Sequence, residues 1–181
     1  VDPVVDMPAQ VVRLRVLNGS SQRLYEVGFS DNRQFSLIGT DGGLLSAPVG
    51  MTRYRMAPGQ RADILVDLSA DMGTNIQLMN YGSELPNAVY GAAQPGMGAG
   101  ATAFLVGYTD NPLNGADFQL LDISVVAQTT SPVSVIPSTL ATLTPLLEGA
   151  ENITRDLTFT SATMGDLSGP FFINGSTFDM G

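Results

Sequence analysis

Carboxylates and thioethers are the main metal-binding side chains in this 181-residue chain. It carries seventeen Asp and Glu and eight Met, and neither His nor Cys. Without imidazole the usual base for a serine nucleophile is missing, and no Gly-x-Ser-x-Gly elbow occurs. Gly96 to Gly100 (GMGAG) has the look of a phosphate loop. It lacks a third correctly spaced glycine and leads toward a strand-like run, so no helix N-terminus awaits an anion. The acidic stretch from Asp110 to Asp117 departs from the calcium-loop pattern. No pair of carboxylates is singled out for glycoside chemistry. Asn18, Asn152 and Asn174 each open an Asn-x-Ser/Thr triplet, and turn or strand-edge polarity accounts for all three.

Composition narrows the field further. The formal charge is −9, and all eight basic residues are Arg, scattered along the chain. Nucleic acid would be repelled, with no basic stripe or aromatic platform to compensate. No apolar run approaches the roughly 20 residues of a membrane-spanning helix. The absence of Cys leaves the redox compartment open. No signal peptide is visible in VDPVVDMPAQ, and the chain reads as a piece of a longer precursor.

The elements that must position these residues are strands. Twenty Gly, eleven Pro and many Val, Ile, Thr and Leu favour short strands joined by turns. Residues 1–10 read as an irregular leading linker. Val11 to Leu17 alternates apolar and Arg residues, as a strand with one buried face does. Asn18-Gly19 predicts a turn with positive φ, after which Arg23 to Phe29 pairs back as a second strand. Ser30 to Asn32 turns into Gln34 to Thr40. Asp41, Gly42 and Gly43 predict a tight reversal fixed by glycine. Pro58-Gly59 has the signature of a type II turn between two strand-like runs. Ile76 to Tyr81 is a further strand, Gly91 to Gly100 a loop, and Thr102 to Thr109 a strand. Spacing of about ten residues between strands suggests an all-β sandwich or barrel. From Val125 the Ser, Thr and Pro content rises, and residues 128–151 read as a connector with one helical turn. Asn152 to Ser161 is strand-like, and Pro170 to Met180 predicts a hairpin around Asn174-Gly175. Arg61 and Asp63 share a strand face; an ion pair with Asp41 is within reach, but a solvated polar face is the default.

Two blocks carry a family resemblance. Arg13 to Leu68 holds, in order, LNGSS, SDNR, TDGGLL and MAPGQRADILVDL, and resembles the middle cupredoxin domain of three-domain multicopper oxidases of the laccase and cuprous-oxidase type. GPFFINGSTFDM (Gly169 to Met180) is similar to the opening strands of the third domain, and VIPSTLATL to the linker between them. The resemblance implies a cupredoxin-like Greek-key β-sandwich over residues 11–127, the connector over 128–151, and the first strands of a following cupredoxin domain over 152–181. In that family the copper ligands are His and Cys clusters of the outer domains. The middle domain is a spacer that lets those domains meet, which agrees with the absence of both residue types here.

The resemblance therefore implies no catalytic or cofactor residues in this chain, copper in the intact parent, and the flanking cupredoxin domains as partners. Such a parent would couple one-electron oxidation of phenolic or metal donors to reduction of dioxygen to water. By analogy it would be periplasmic or extracellular. Cuprous oxidases of the family carry a substrate-copper site lined by Met and Asp early in domain three. Met164 and Asp166 fall on matching positions and are the candidates for a labile copper site. Ser161 stands where a further family Met would be, the Met-rich insertion is missing, and dispersed Met residues more often serve packing. The same three-domain architecture, stripped of every copper ligand, also occurs in structural or interaction proteins, among them a bacterial cell-division protein. A sugar-binding sandwich is a weaker reading, since the chain offers five Tyr and no Trp for stacking.

Overall fold

The structure is a computed structural model that describes residues 3–87, 89–93, 111–144, 149, 153–161 and 171–177. Several sequence expectations lie outside them: Thr102–Thr109, Gly96–Gly100, Met164, Asp166, Phe178 and Asn152.

Two sheets form the body. One joins five strands in the order β1 (Val4–Pro8), β9 (Asp117–Val126), β8 (Asn75–Tyr81), β3 (Tyr25–Phe29) and β6 (Tyr54–Met56). The other joins β2 (Val11–Leu17), β7 (Arg61–Asp67), β4 (Phe35–Thr40) and β5 (Gly43–Met51). Their facing sides supply one core. Met7, Val27, Phe29, Met56, Leu78 and Ile123 come from the first sheet, and Phe35, Leu37, Ile64 and Val66 from the second. This is a cupredoxin-like β-sandwich, as expected. The alternation foreseen for β2 is present: Val12, Leu14 and Val16 pack on the core, while Arg13, Arg15 and Leu17 are exposed.

Three local expectations are corrected. The leading segment is not irregular, because Val4–Pro8 pairs in parallel with Asp122–Val126. Met7 enters the core there, and Pro8 sits at the strand end, where a missing N–H is tolerated. Nor does the chain fold back after Asn18-Gly19. β2 pairs with β7, and β3 with β6 and β8, so the two runs lie in opposite sheets. Neither Asn18 nor Gly19 has a positive φ. The Asn18 amide is spent on tying the sheets together. Third, of the described residues 153–161 only β10 (Phe159–Ser161) is a strand, and it joins β11 (Phe171–Ile173) and β12 (Ser176–Thr177) in a small separate sheet.

Other turns form as their residues demand. Gly59 has φ of 79° and the Gln60 N–H donates to the Ala57 carbonyl at 3.1 Å, closing the Pro58-Gly59 turn. Asn174 and Gly175 take φ of 53° and 77°, the double left-handed geometry of a two-residue hairpin. Residues 127–144 of the connector contain no helical turn. They are tied to the body at three points: the Thr129 hydroxyl donates to Gln10 Oε1 at 2.8 Å, the Val11 N–H to the Val133 carbonyl at 2.8 Å, and the Leu140 N–H to the Ser46 carbonyl at 2.9 Å. Phe172 is half-buried, while Phe159 is 70% and Ile173 41% exposed, so the apolar surface of the small sheet centres on Phe159.

Candidate functional site

The family-like Asp41-Gly42-Gly43 segment lies at the end of the β4–β5 hairpin, on the outer face of the four-stranded sheet. Thr40 pairs with Gly43 across the turn. Gly43 alone is left-handed, with φ of 107°; Gly42 is not. That geometry presents the Asp41 carboxylate to the start of β7. Its Oδ1 accepts from Arg61 Nε at 2.8 Å and from the Arg61 backbone N–H at 3.2 Å. The ion pair is therefore formed, on a face that stays solvated: Arg61 and Asp41 are 66% and 45% exposed.

Asp63, two residues along β7, faces outward beside it. Pairing of β7 with β2 sets Arg15 directly opposite, and its other neighbour β4 presents Gly39. A Cβ at Gly39 would meet the Asp63 Cβ at 3.4 Å and the Gly43 carbonyl oxygen at 3.1 Å, so glycine lets the carboxylate lie flat on the sheet. Asp63 bonds Arg13 Nη2 and lies 3.5 Å from Arg15 Nε. Together Arg15, Arg61, Asp41 and Asp63 line a shallow cleft, with Leu17 exposed at its rim. Counting Arg13, which bonds Asp63 from beside the cleft, three Arg against two Asp make this a locally cationic patch on an acidic protein. Arg15 is the least engaged, at 76% exposed.

Each carboxylate here is occupied by a guanidinium, and the lining adds one hydroxyl residue, Thr40. The arrangement offers paired charges on which a ligand could bind. Among the described residues no group of three or more His, Cys, Asp or Glu could hold a metal ion. The described Met side chains are dispersed: Met7 and Met56 are in the core and Met72 is 69% exposed. These residues do not fit a copper centre. The candidate pair Met164 and Asp166 lies outside the described residues.

Polar residues that sequence reasoning passed over are also prominent. Glu26 is buried on the outer face of β3, where Arg55 Nε reaches its Oε2 at 2.6 Å. Arg53 stacks over the Tyr81 ring at 3.4 Å and pairs with Glu84. Arg33 is clamped between Asp31 and Asp71, both at 2.6 Å.

These pairs make stability acid-sensitive. The Arg33 side chain holds the Asp31 carboxyl below its usual range, Arg61 does the same for Asp41, and Ser69 for Asp67. A carboxyl depressed in the folded state contributes stability above its unfolded pKa, and loses it as pH falls through the folded value. The thermal midpoint should thus be flat from neutral to about pH 5 and fall below about pH 4. A midpoint that holds or rises in that acid range would contradict the pairing.

No family model matches the chain. Among curated proteins it is 48% identical over 68 residues to the cell division protein FtsP of Xenorhabdus nematophila, covering 38% of this chain and 14% of that protein. The FtsP of Photorhabdus laumondii is 40% identical over 70 residues, 39% of this chain and 15% of its own length. Among solved structures, the McoA multicopper oxidase of Aquifex aeolicus matches with a TM-score of 0.66 and 26% identity, over 96% of this chain and 32% of that one. The laccase-like multicopper oxidase CueO of an Ochrobactrum species gives 0.67 and 26%, over 99% and 36%. The chain thus spans about a third of the length of the oxidases it matches, and the match to the curated relatives covers about a seventh of theirs.

Proposed function

Because this chain is a cupredoxin domain of the multicopper oxidase family, we propose that it serves as the non-catalytic middle spacer of a larger parent, holding the flanking cupredoxin domains in register. One observation carries the reading: 181 residues with no imidazole and no thiol. A blue-copper centre needs both, so any redox copper must be held by neighbours. The well-packed sandwich and the paired charges of its outer face suit a part that transmits position. On this reading residues 152–181 begin the next domain, and the exposed Phe159 and Ile173 await its remaining strands.

The parent, by the family resemblance, would take electrons from phenolic or metal donors and reduce dioxygen to water, in the periplasm or outside the cell. A second reading is favoured by the curated matches, which carry the name cell division protein FtsP at identities of 40–48%. The parent would then be a structural or interaction protein built on the same fold. Copper analysis and oxygen uptake by the intact parent separate the two. Bound copper with donor-dependent uptake supports the oxidase; neither supports the interaction protein. Oxygen uptake by the present chain alone would overturn the spacer role common to both.

A further inference from the structure

We propose that the open edge of β2, with the cleft it shares with β9, is a docking slot for an extended segment of a separate polypeptide carrying acidic and apolar side chains in alternation. The observations begin with the way the chain changes sheets. β1 belongs to the five-stranded sheet and β2 to the four-stranded one, with only Ala9 and Gln10 between them. The chain therefore crosses from one sheet to the other within those two residues. Among the described residues β1 covers β9 only from Asp122 onward, leaving Asp117–Leu121 as edge. Across the gap, β2 is the terminal strand of its sheet among the described residues. Between these edges lies a cleft of about 240 Å³ that reaches the core, lined chiefly by Val16, Leu17, Tyr25, Met56, Leu120 and Leu121.

Hydrogen-bond parity shows which groups of β2 face the gap. The Asn18 N–H donates to Gln60, on the β7 side, whereas the Val11 N–H donates away from β7 to the Val133 carbonyl. Along an antiparallel strand these directions alternate, so the backbone groups of Arg13, Arg15 and Leu17 point to the open edge. No bond from them on that side is made by the described residues. The connector has already begun such pairing at Val11, where the side chain is buried, and does not continue it. Strand addition to an exposed edge is an established mode of peptide recognition.

Side chains define the guest. A strand laid on β2 would alternate between the apolar cleft and the outer face, where Arg13 and Arg15 stand 43% and 76% exposed. Directly opposite residues approach to about 5 Å, close enough for acidic partners to pair with both guanidiniums. A second copy of β2 is the wrong guest, because it would bring its own arginines against these.

The test uses the full 181-residue chain and end-blocked synthetic peptides of alternating Glu and Val, followed by fluorescence anisotropy at low and high salt. The Glu-Val peptide should bind in a salt-sensitive manner. A Lys-Val peptide should bind about tenfold or more weakly, and so should Glu-Val to the Arg13→Glu/Arg15→Glu variant. An Arg13→Gln/Arg15→Gln variant, checked by circular dichroism, replaces it if charge reversal prevents folding. N-methylation of the edge-facing amides of the peptide should abolish binding. Equal binding of both peptides, indifference to N-methylation, absence of binding, or self-association of the chain through β2 would each overturn the proposal.

Discussion

Replacing Asn18 by alanine is expected to destabilise the chain by about 3 kcal/mol, from the cost of stranding buried polar groups. The side chain is only 4% exposed and all its capacity is used. Its amide donates to the Arg23 carbonyl at 2.8 Å and the Met56 carbonyl at 3.0 Å, and its Oδ1 accepts from the Ser20 N–H and hydroxyl. Met56 is in the five-stranded sheet and Asn18 follows β2 of the other, so the amide fastens the two sheets beside the cleft that both residues line. Alanine leaves the Met56 carbonyl and the Ser20 N–H without these partners. The Asn18→Asp variant should be about as damaging at neutral pH, since a carboxylate would face two carbonyl oxygens. Acidification should partly relieve it, because burial there raises the pKa of the new carboxyl and protonation restores a donor. Urea denaturation checks both variants; losses within about 0.5 kcal/mol of wild type, the range of ordinary surface substitutions, would dismiss the bridging role.

Phe29→Ala should cost about 4 kcal/mol, the range for emptying a buried aromatic site. Phe29 on β3 is fully buried and meets Phe35 on β4 edge to face, with centroids 5.8 Å apart. The contact joins strands of opposite sheets, so truncation opens a void between the layers rather than at a margin. Against a typical total of about 5–15 kcal/mol this is a large share. Phe29→Leu keeps most of the volume and should lose roughly 1.5 kcal/mol. The midpoint in urea should shift while the denaturant slope stays constant. Equal losses for the two variants would mean that the cavity is not what matters.

What the sequence revealed depended on the range of the interactions involved. Period-two patterning placed β2, β7 and β8, and local turn chemistry placed Pro58-Gly59 and Asn174-Gly175, because backbone sterics decide those within four residues. Asn18-Gly19 misled for the opposite reason. The same dipeptide favours a hairpin locally, yet Asn18 is held by Met56, 38 positions away. β9 went unnoticed because its pairing with β8 shifts register opposite Leu78 and Met79, which breaks the alternation at Leu120 and Leu121. β1 is masked in the sequence by Pro3 before it and Pro8 at its end, and is a strand because β9 runs parallel to it. At the outer face, Arg61 and Asp63 could be placed on one side of one strand, but the reach of Asp41 across the hairpin depends on the left-handed Gly43. Glu26, buried at an outward-facing position, carries no sequence signal short of knowing that Arg55 lies opposite.

The central claim is that this domain owns no redox metal and works by holding those that do. Copper titration of the 181-residue chain, followed by calorimetry and visible absorption, tests it most directly, with the Met164→Ala/Asp166→Ala variant in parallel. The account predicts no blue thiolate-copper band, no stoichiometric binding, and no difference between the two proteins. A blue band, or tight one-to-one copper binding lost in the variant, would contradict it.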